Sequence, residues 1–199
     1  MNTRIGLFVV LLVAAAVVMS CDDNHLWIAN QDYTTDSTHF YSLEKALKYP
    51  ERAITLDLVG DTAATLPIQL KLLPNMKYLS WERGRLTAIP PFIGDLQSVL
   101  RMDFWYNAID TIAPEIGKLK NLIGMSVSYN NLSYLPDEIC NMEGLGALTL
   151  RDNHLTVLPD SIHKLKRLWL LEVNNNPINR EEIERIRKAL PNLKEYYHD

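Results

Sequence analysis

The sequence predicts an α/β solenoid, with short parallel strands stacked one per coil and helical pieces closing the two ends. Three observations carry this. From Leu119 the chain reads L-K-N-L-I-G-M-S-V-S-Y-N-N-L-S-Y-L-P-D-E-I-C-N, and from Met142 it reads M-E-G-L-G-A-L-T-L-R-D-N-H-L-T-V-L-P-D-S-I-H-K; the two lines superpose without a gap at a period of 23 residues. A fixed period of this length marks a chain of stacked supersecondary units that bury a continuous core only together. Each repeat also holds a five-residue phrase of alternating polarity, the signature of a strand with one buried face. Finally, apolar residues recur at two further fixed positions of every repeat, which gives each coil a second wall for its core.

The shared template, LxxLxxLxLxxNxLxxLPxxIxx, resembles the leucine-rich repeat family in the short-repeat form common in bacterial proteins. The resemblance covers about residues 40 to 199. It implies a right-handed horseshoe with a parallel concave β-sheet of about six strands and helical caps at both ends. It also implies a non-catalytic module that binds another protein through the concave face.

The first twenty residues stand apart from the repeats. Arg4 is the only charge before Asp22, and Ile5 to Met19 is an unbroken run without a charged residue. At fifteen residues the run is short for a membrane span of ~20 residues and reads as a secretory leader, residues 1–20. Val18-Met19-Ser20-Cys21 then resembles the bacterial lipobox, although Met19 is an uncommon choice at its position. That resemblance implies cleavage before Cys21, diacylglycerol on its sulfur and acylation of its new amine. Stable anchoring needs more than one acyl chain, since each buried CH₂ adds ~0.8 kcal/mol. Loss of the leader, with its one arginine and no acid, takes the net charge from −4 to −5. Asp22 and Asp23 follow the cysteine, a placement that resembles inner-membrane retention in some bacteria and surface export in others. The expectation is a lipid-anchored envelope protein, at the outer membrane or cell surface. Plain secretion is the alternative.

Residues 21–39 are polar and aperiodic, which predicts a tether. Residues 40–53 predict an N-terminal capping helix: Ser42 can cap it, Glu44 sits in its first turn, Leu43, Ala46 and Leu47 share a face, and Tyr49-Pro50 ends it. The repeats occupy 54–178. Their strand phrases begin with Ile54-Thr55-Leu56-Asp57-Leu58 and continue at Lys77, Leu100, Ile123, Gly146 and Trp169. Expected core pairs are Leu56/Leu58, Leu79/Trp81, Met102/Phe104, Met125/Val127, Leu148/Leu150 and Leu171/Val173. The outer arc adds Leu70, Ile93, Ile116, Ile139 and Ile162, then Leu73, Leu96, Leu119, Met142 and Leu165. Asn107, Asn130, Asn153 and Asn176 form the family's asparagine ladder, whose amides satisfy the backbone groups of a buried bend. Asp61 and Gly84 stand where the first two coils would carry it, so those coils are expected to be looser. Pro67, Pro90, Pro136 and Pro159 set the following turn, with Ala113-Pro114 in the third. Residues 179–199 form the C-terminal cap: Asn179 with Glu182 resembles a capping box, and Ile183, Ile186 and Leu190 make one apolar stripe.

The outward strand positions map the concave surface. They run Thr55, Tyr78, Arg101, Gly124, Ala147, Leu170; then Asp57, Ser80, Asp103, Ser126, Thr149, Glu172; then Val59, Glu82, Trp105, Ser128, Arg151, Asn174; and last Gly60, Arg83, Tyr106, Tyr129, Asp152, Asn175. Tyr78, Trp105, Tyr106 and Tyr129 have no core duty, and they sit among Arg83, Arg101, Arg151, Asp103 and Asp152. Tyr, Trp and Arg dominate protein-binding hot spots, so these nine residues form the candidate partner site. The partner expected is a protein. A glycan stacked on Trp105, Tyr106 and Tyr129 is a second reading, and a purely structural envelope role is a third.

Other classes find no support in the residues. A net charge of −4 argues against general nucleic-acid binding. None of His25, His39, His154, His163 and His198 has a metal-ligand spacing, and no glycine-rich phosphate loop occurs. Cys140 falls on the outer arc beside Ile139, where a structural thiol is expected rather than a nucleophile. Tether, caps and repeats consume the chain after the leader, so no metal, cofactor or catalytic domain is expected.

Overall fold

The structure is a computed structural model that describes residues 38–197, with side chains described to Lys194. The leader (1–20), the lipidation residue Cys21 and the tether up to residue 37 lie outside the described residues.

The chain forms the expected solenoid. Strands β1 (His39–Phe40), β2 (Thr55–Val59) and β3 (Tyr78–Glu82) are followed by β4 (Ala88–Ile89) and β5 (Arg101–Asp103). Then come β6 (Thr111–Ile112), β7 (Gly124–Ser126), β8 (Ala147–Thr149), β9 (Leu170–Glu172) and β10 (Glu195–Tyr197). All but β4 and β6 join one sheet in the order β1-β2-β3-β5-β7-β8-β9-β10, and every pairing is parallel. The repeat dictates the register. Leu56 lies opposite Leu79, Leu79 opposite Met102, Met125 opposite Leu148, and Leu148 opposite Leu171. Strands β4 and β6 pair in a small second sheet that the sequence reading did not anticipate.

The sheet has eight strands rather than about six. The two extra strands extend the edges, where a parallel sheet leaves unpaired N–H and C=O groups that a neighbouring segment satisfies. At the start, the N–H groups of Ile54 and Thr55 donate to Thr38 O at 2.9 and 3.0 Å, so the sheet begins inside the stretch read as tether, and Phe40 buries its ring against the core. At the other edge, Glu195–Tyr197 continues the ladder beside β9.

On the convex side each coil turns through a 3₁₀ segment: Ile68–Leu72, Pro91–Asp95, Pro114–Lys118, Asp137–Asn141 and Asp160–Lys164. The carbonyl of the residue that precedes each segment (Pro67, Pro90, Ala113, Pro136, Pro159) accepts the first turn bond, and the first four of these residues are extended. Between sheet and turns the core is continuous. All core pairs and both outer-arc series named above are at most 5% exposed. Of the glycines, Gly117 is the most closely approached by a neighbouring coil: a Cβ there would lie 2.3 Å from Glu138 O.

Helix α1 (Leu43–Lys48) covers the first coil, with Ala46 fully buried and Ser42 Oγ accepting from Lys45 N. Helix α2 (Arg180–Ala189) covers the last, with Asn179 Oδ1 accepting from Glu182 N at 2.9 Å. The Glu182 carboxylate accepts from Leu158 N at 2.8 Å and from Arg185, whose Nη2 donates back to Leu158 O at 2.7 Å. Burial raises the Glu182 pKa, but Arg185 and the Leu158 N–H outweigh it and hold the carboxyl below the usual range.

The asparagines repeat one bonding pattern. Asn130 Oδ1 accepts from Ile109 N at 2.9 Å, while its Nδ2 donates to Phe104, Val127 and Ser128 carbonyls at 2.9, 3.2 and 3.0 Å. Asn107, Asn153 and Asn176 do the same for Leu86, Leu132 and Leu155. Each amide therefore closes the coil before its own, and the gap at Gly84 concerns the first coil. There, the Ala63 N–H is satisfied within its own coil by Asp61 Oδ1 at 2.8 Å. The β2–β3 pairing also runs for five residue pairs, against three between the later coils. Gly84 follows from crowding: a Cβ would sit 2.7 Å from Asn107 Oδ1, 2.8 Å from Asp61 O and 3.1 Å from the Trp81 indole nitrogen. The first junction thus has substitute bonds, and looseness does not follow from the missing amide alone.

Candidate partner-binding face

Strand alternation sends two positions of each phrase outward, and the coil then bends so that two more residues reach the same rim. The last of these has a positive φ in every coil: Gly60 (74°), Arg83 (52°), Tyr106 (55°), Tyr129 (57°), Asp152 (53°) and Asn175 (57°). This left-handed conformation is unusual for bulky residues and is found mainly with Gly, Asn and Asp. Four of the six residues stand immediately before an asparagine of the ladder, whose bonds hold the bend. Arginine and two tyrosines are therefore held in a backbone conformation that a glycine would adopt at no cost.

The nine candidate residues fall into two groups. The first is a polar brace on β3 and β5. Asp103, 4% exposed, accepts from the Tyr78 hydroxyl and from Arg101 Nε at 3.0 Å, and the Arg101 guanidinium lies 5.6 Å over the Tyr78 ring. Burial, then the Asp103 charge, keeps the Tyr78 phenol protonated well beyond the ordinary range. Burial works against the Arg101 charge, but Asp103 outweighs it and raises its pKa. Asp103 is thus spent beneath the surface rather than offered to a partner. Gly124 lies across the sheet from Arg101, where a Cβ would meet Arg101 Cγ at an ordinary 3.7 Å, so the arginine stem does not require a glycine there.

The second group is a stack along the solenoid axis. Arg83 lies over the Tyr106 ring at 5.4 Å, Tyr106 stacks on Tyr129 at 4.2 Å and 10°, and Arg151 lies over Tyr129 at 5.4 Å. Trp105 tilts against Tyr106 at 5.6 Å. The Tyr106 and Tyr129 hydroxyls are hydrogen-bonded; burial and this bond push the Tyr129 phenol up to about 12. Asp152 anchors the far end, accepting from Arg151 Nε and Asn175 Nδ2, both at 2.9 Å. Each tyrosine thus has an arginine on one neighbouring coil and the other tyrosine on the next, and Tyr106 is 41% exposed.

Four residues outside the nine, Ser80, Glu82, Ser126 and Thr149, complete the face. The Glu82 carboxylate accepts from Ser80 Oγ at 3.0 Å and from the Trp105 indole, and burial raises its pKa. Ser126 accepts from Thr149 at 2.8 Å. The second and third outward columns hold these positions, but only the structure shows that Glu82 steadies Trp105.

Chemistry elsewhere is sparse. Among the described residues no cluster of His, Cys, Asp and Glu could hold a metal ion. The Cys140 thiol is buried on the convex side and burial pushes its pKa up, which disfavours the nucleophilic thiolate. His154 and His163 are exposed, and His39 lies 3.8 Å from Asp57. A shallow depression on the convex turns, lined by Pro114, Lys118, Glu138 and neighbours, contains no aromatic side chain.

No protein-family model and no curated protein sequence matches the chain. Solved structures do. A leucine-rich repeat protein of Leptospira interrogans, LIC12759, superposes with a TM-score of 0.72 at 34% identity, over 79% of this chain and 40% of that one. The leucine-rich repeat domain of the type III effector XopL superposes at 0.68 and 20% identity, over 78% of this chain and 54% of that one. The chain thus spans roughly half or less of the chains it resembles.

Proposed function

Since this chain is a leucine-rich repeat protein, we propose that it is a non-catalytic binding module, tethered to the bacterial envelope through Cys21, that engages another protein through its concave rim. The observation that carries the reading is the Arg83–Tyr106–Tyr129–Arg151 stack with Trp105 beside it. It spends large, rotamer-restricted side chains and strained backbone on a surface with no core duty. Residues of these types, ordered before contact, lose little entropy on binding and give the largest interface energies. The glycan reading is weaker, because Tyr106 and Tyr129 already stack on each other and carry Arg83 and Arg151.

The test is chemical cross-linking of the native envelope with capture of the chain, comparing wild type with a Trp105→Ala/Tyr129→Ala variant. A partner recovered with wild type and lost with the variant supports the reading; identical recovery removes the rim from it. The anchor has its own test. Labelled palmitate enters the wild-type chain and not Cys21→Ala, and equal labelling would sink the lipoprotein assignment.

A further inference from the structure

We propose that the protein partner presents carboxylate side chains to Arg83 and Arg85, so that the rim recognises an acidic segment. This rests on the protein-binding reading above and names the chemistry of its partner. Three arginines stand on the rim, with Arg85 two residues along the chain from Arg83, and two of the three are already neutralised: Arg101 by Asp103 at 3.0 Å and Arg151 by Asp152 at 2.9 Å. Arg83 and Arg85, both exposed, take part in no ion pair among the described residues. The repeat register explains why. Gly60 and Tyr106 flank Arg83 in the neighbouring coils, and Thr62 and Ala108 flank Arg85. Asp61, the acid nearest in register, is turned to the Ala63 N–H.

Arg83 is also ordered in advance. Its φ of 52° fixes the direction of the side chain, and its guanidinium lies against the Tyr106 ring. A stacked guanidinium keeps its in-plane N–H groups available for a bidentate carboxylate. Arg83 and Arg85 thus keep their charges for a partner, although Asp57, Asp61 and Glu82 lie in the same coils, in a chain whose net charge is −4. Attraction to an acidic segment is local, and salt weakens it.

The probe is a random dodecapeptide display library panned on the full chain, followed by titration of the strongest peptide. Selected sequences are expected to be enriched in Asp and Glu. Arg83→Gln/Arg85→Gln should weaken binding about tenfold or more, added salt should weaken wild-type binding, and Arg167→Gln should leave it unchanged. Absence of selection, selection of neutral or basic peptides, or equal affinity in the double variant overturns the proposal. So does preferential binding of phosphatidylglycerol vesicles, which would point to a membrane surface. If the cross-linked partner is lost in Trp105→Ala/Tyr129→Ala but kept in Arg83→Gln/Arg85→Gln, the protein-binding reading stands and this one falls.

Discussion

Replacing Asn130 by alanine removes the Oδ1 acceptor of Ile109 N and the Nδ2 donor to three carbonyls. The two losses are unequal. Each carbonyl keeps another donor: Phe104 O from Asn107, Val127 O from Asn153, and Ser128 O from Tyr106 N. The buried Ile109 N–H has no second acceptor nearby and bears the full cost of an unmade bond, about 1–3 kcal/mol. With the small void left by truncation, Asn130→Ala should cost about 2–4 kcal/mol, read as a shift of the urea midpoint at constant slope. Asn130→Asp separates the two roles, since it keeps an oxygen for Ile109 but turns a negative charge on the carbonyls. Its folded-state pKa is raised, so its penalty is present near neutrality and relieved as pH falls. At pH 7 it should be at least as destabilising as the alanine variant, and the gap should close in acid. The half-buried counterpart, Asp61→Ala, loses one bond and should cost about 1 kcal/mol. An Asn130→Ala cost below about 1 kcal/mol, or an Asp variant as stable as wild type at neutral pH, would refute the ladder accounting.

Other expectations follow from single sites. Tyr106→Gly relieves left-handed strain of about 1 kcal/mol and loses stacking of similar size, so stability should move by less than about 1 kcal/mol while partner capture falls; a large loss of stability would mean the stack serves the fold. Gly117→Ala forces a methyl against Glu138 O and should cost about 1–3 kcal/mol by thermal unfolding. Glu182 titrates below the ordinary value in the folded state, so its contribution is full above the unfolded value of about 4.3 and is lost as pH falls through the lower folded one. Glu182→Gln should therefore flatten that acid limb, and an unchanged limb would count against the cap bonds.

The core and both caps were legible in the sequence because their determinants lie within one coil. Leu56, Met102 and Leu148 sit on the inward parity of a strand, and Ser42 and Asn179 sit three residues before the N–H they accept. The ladder was legible for the same reason, as one asparagine per 23 residues. Less legible were contacts between coils. The gap at Gly84 was visible, but that Asp61 accepts from the Ala63 N–H and that the strands pair further there is seen only in three dimensions. Asp103 read as surface, yet Tyr78 and Arg101 enclose it.

Sequence alone thus determined that this chain is a solenoid, where each coil is buried and which strand positions lie on the concave side, because periodicity of apolar residues is a one-dimensional property. Only the tertiary structure decided what the outward residues do. Stacking Arg83, Tyr106, Tyr129 and Arg151 requires side chains 22 or 23 residues apart to meet at 4–6 Å. That meeting depends on the left-handed bend before each ladder position and on the register of neighbouring coils, neither of which is written in any single repeat.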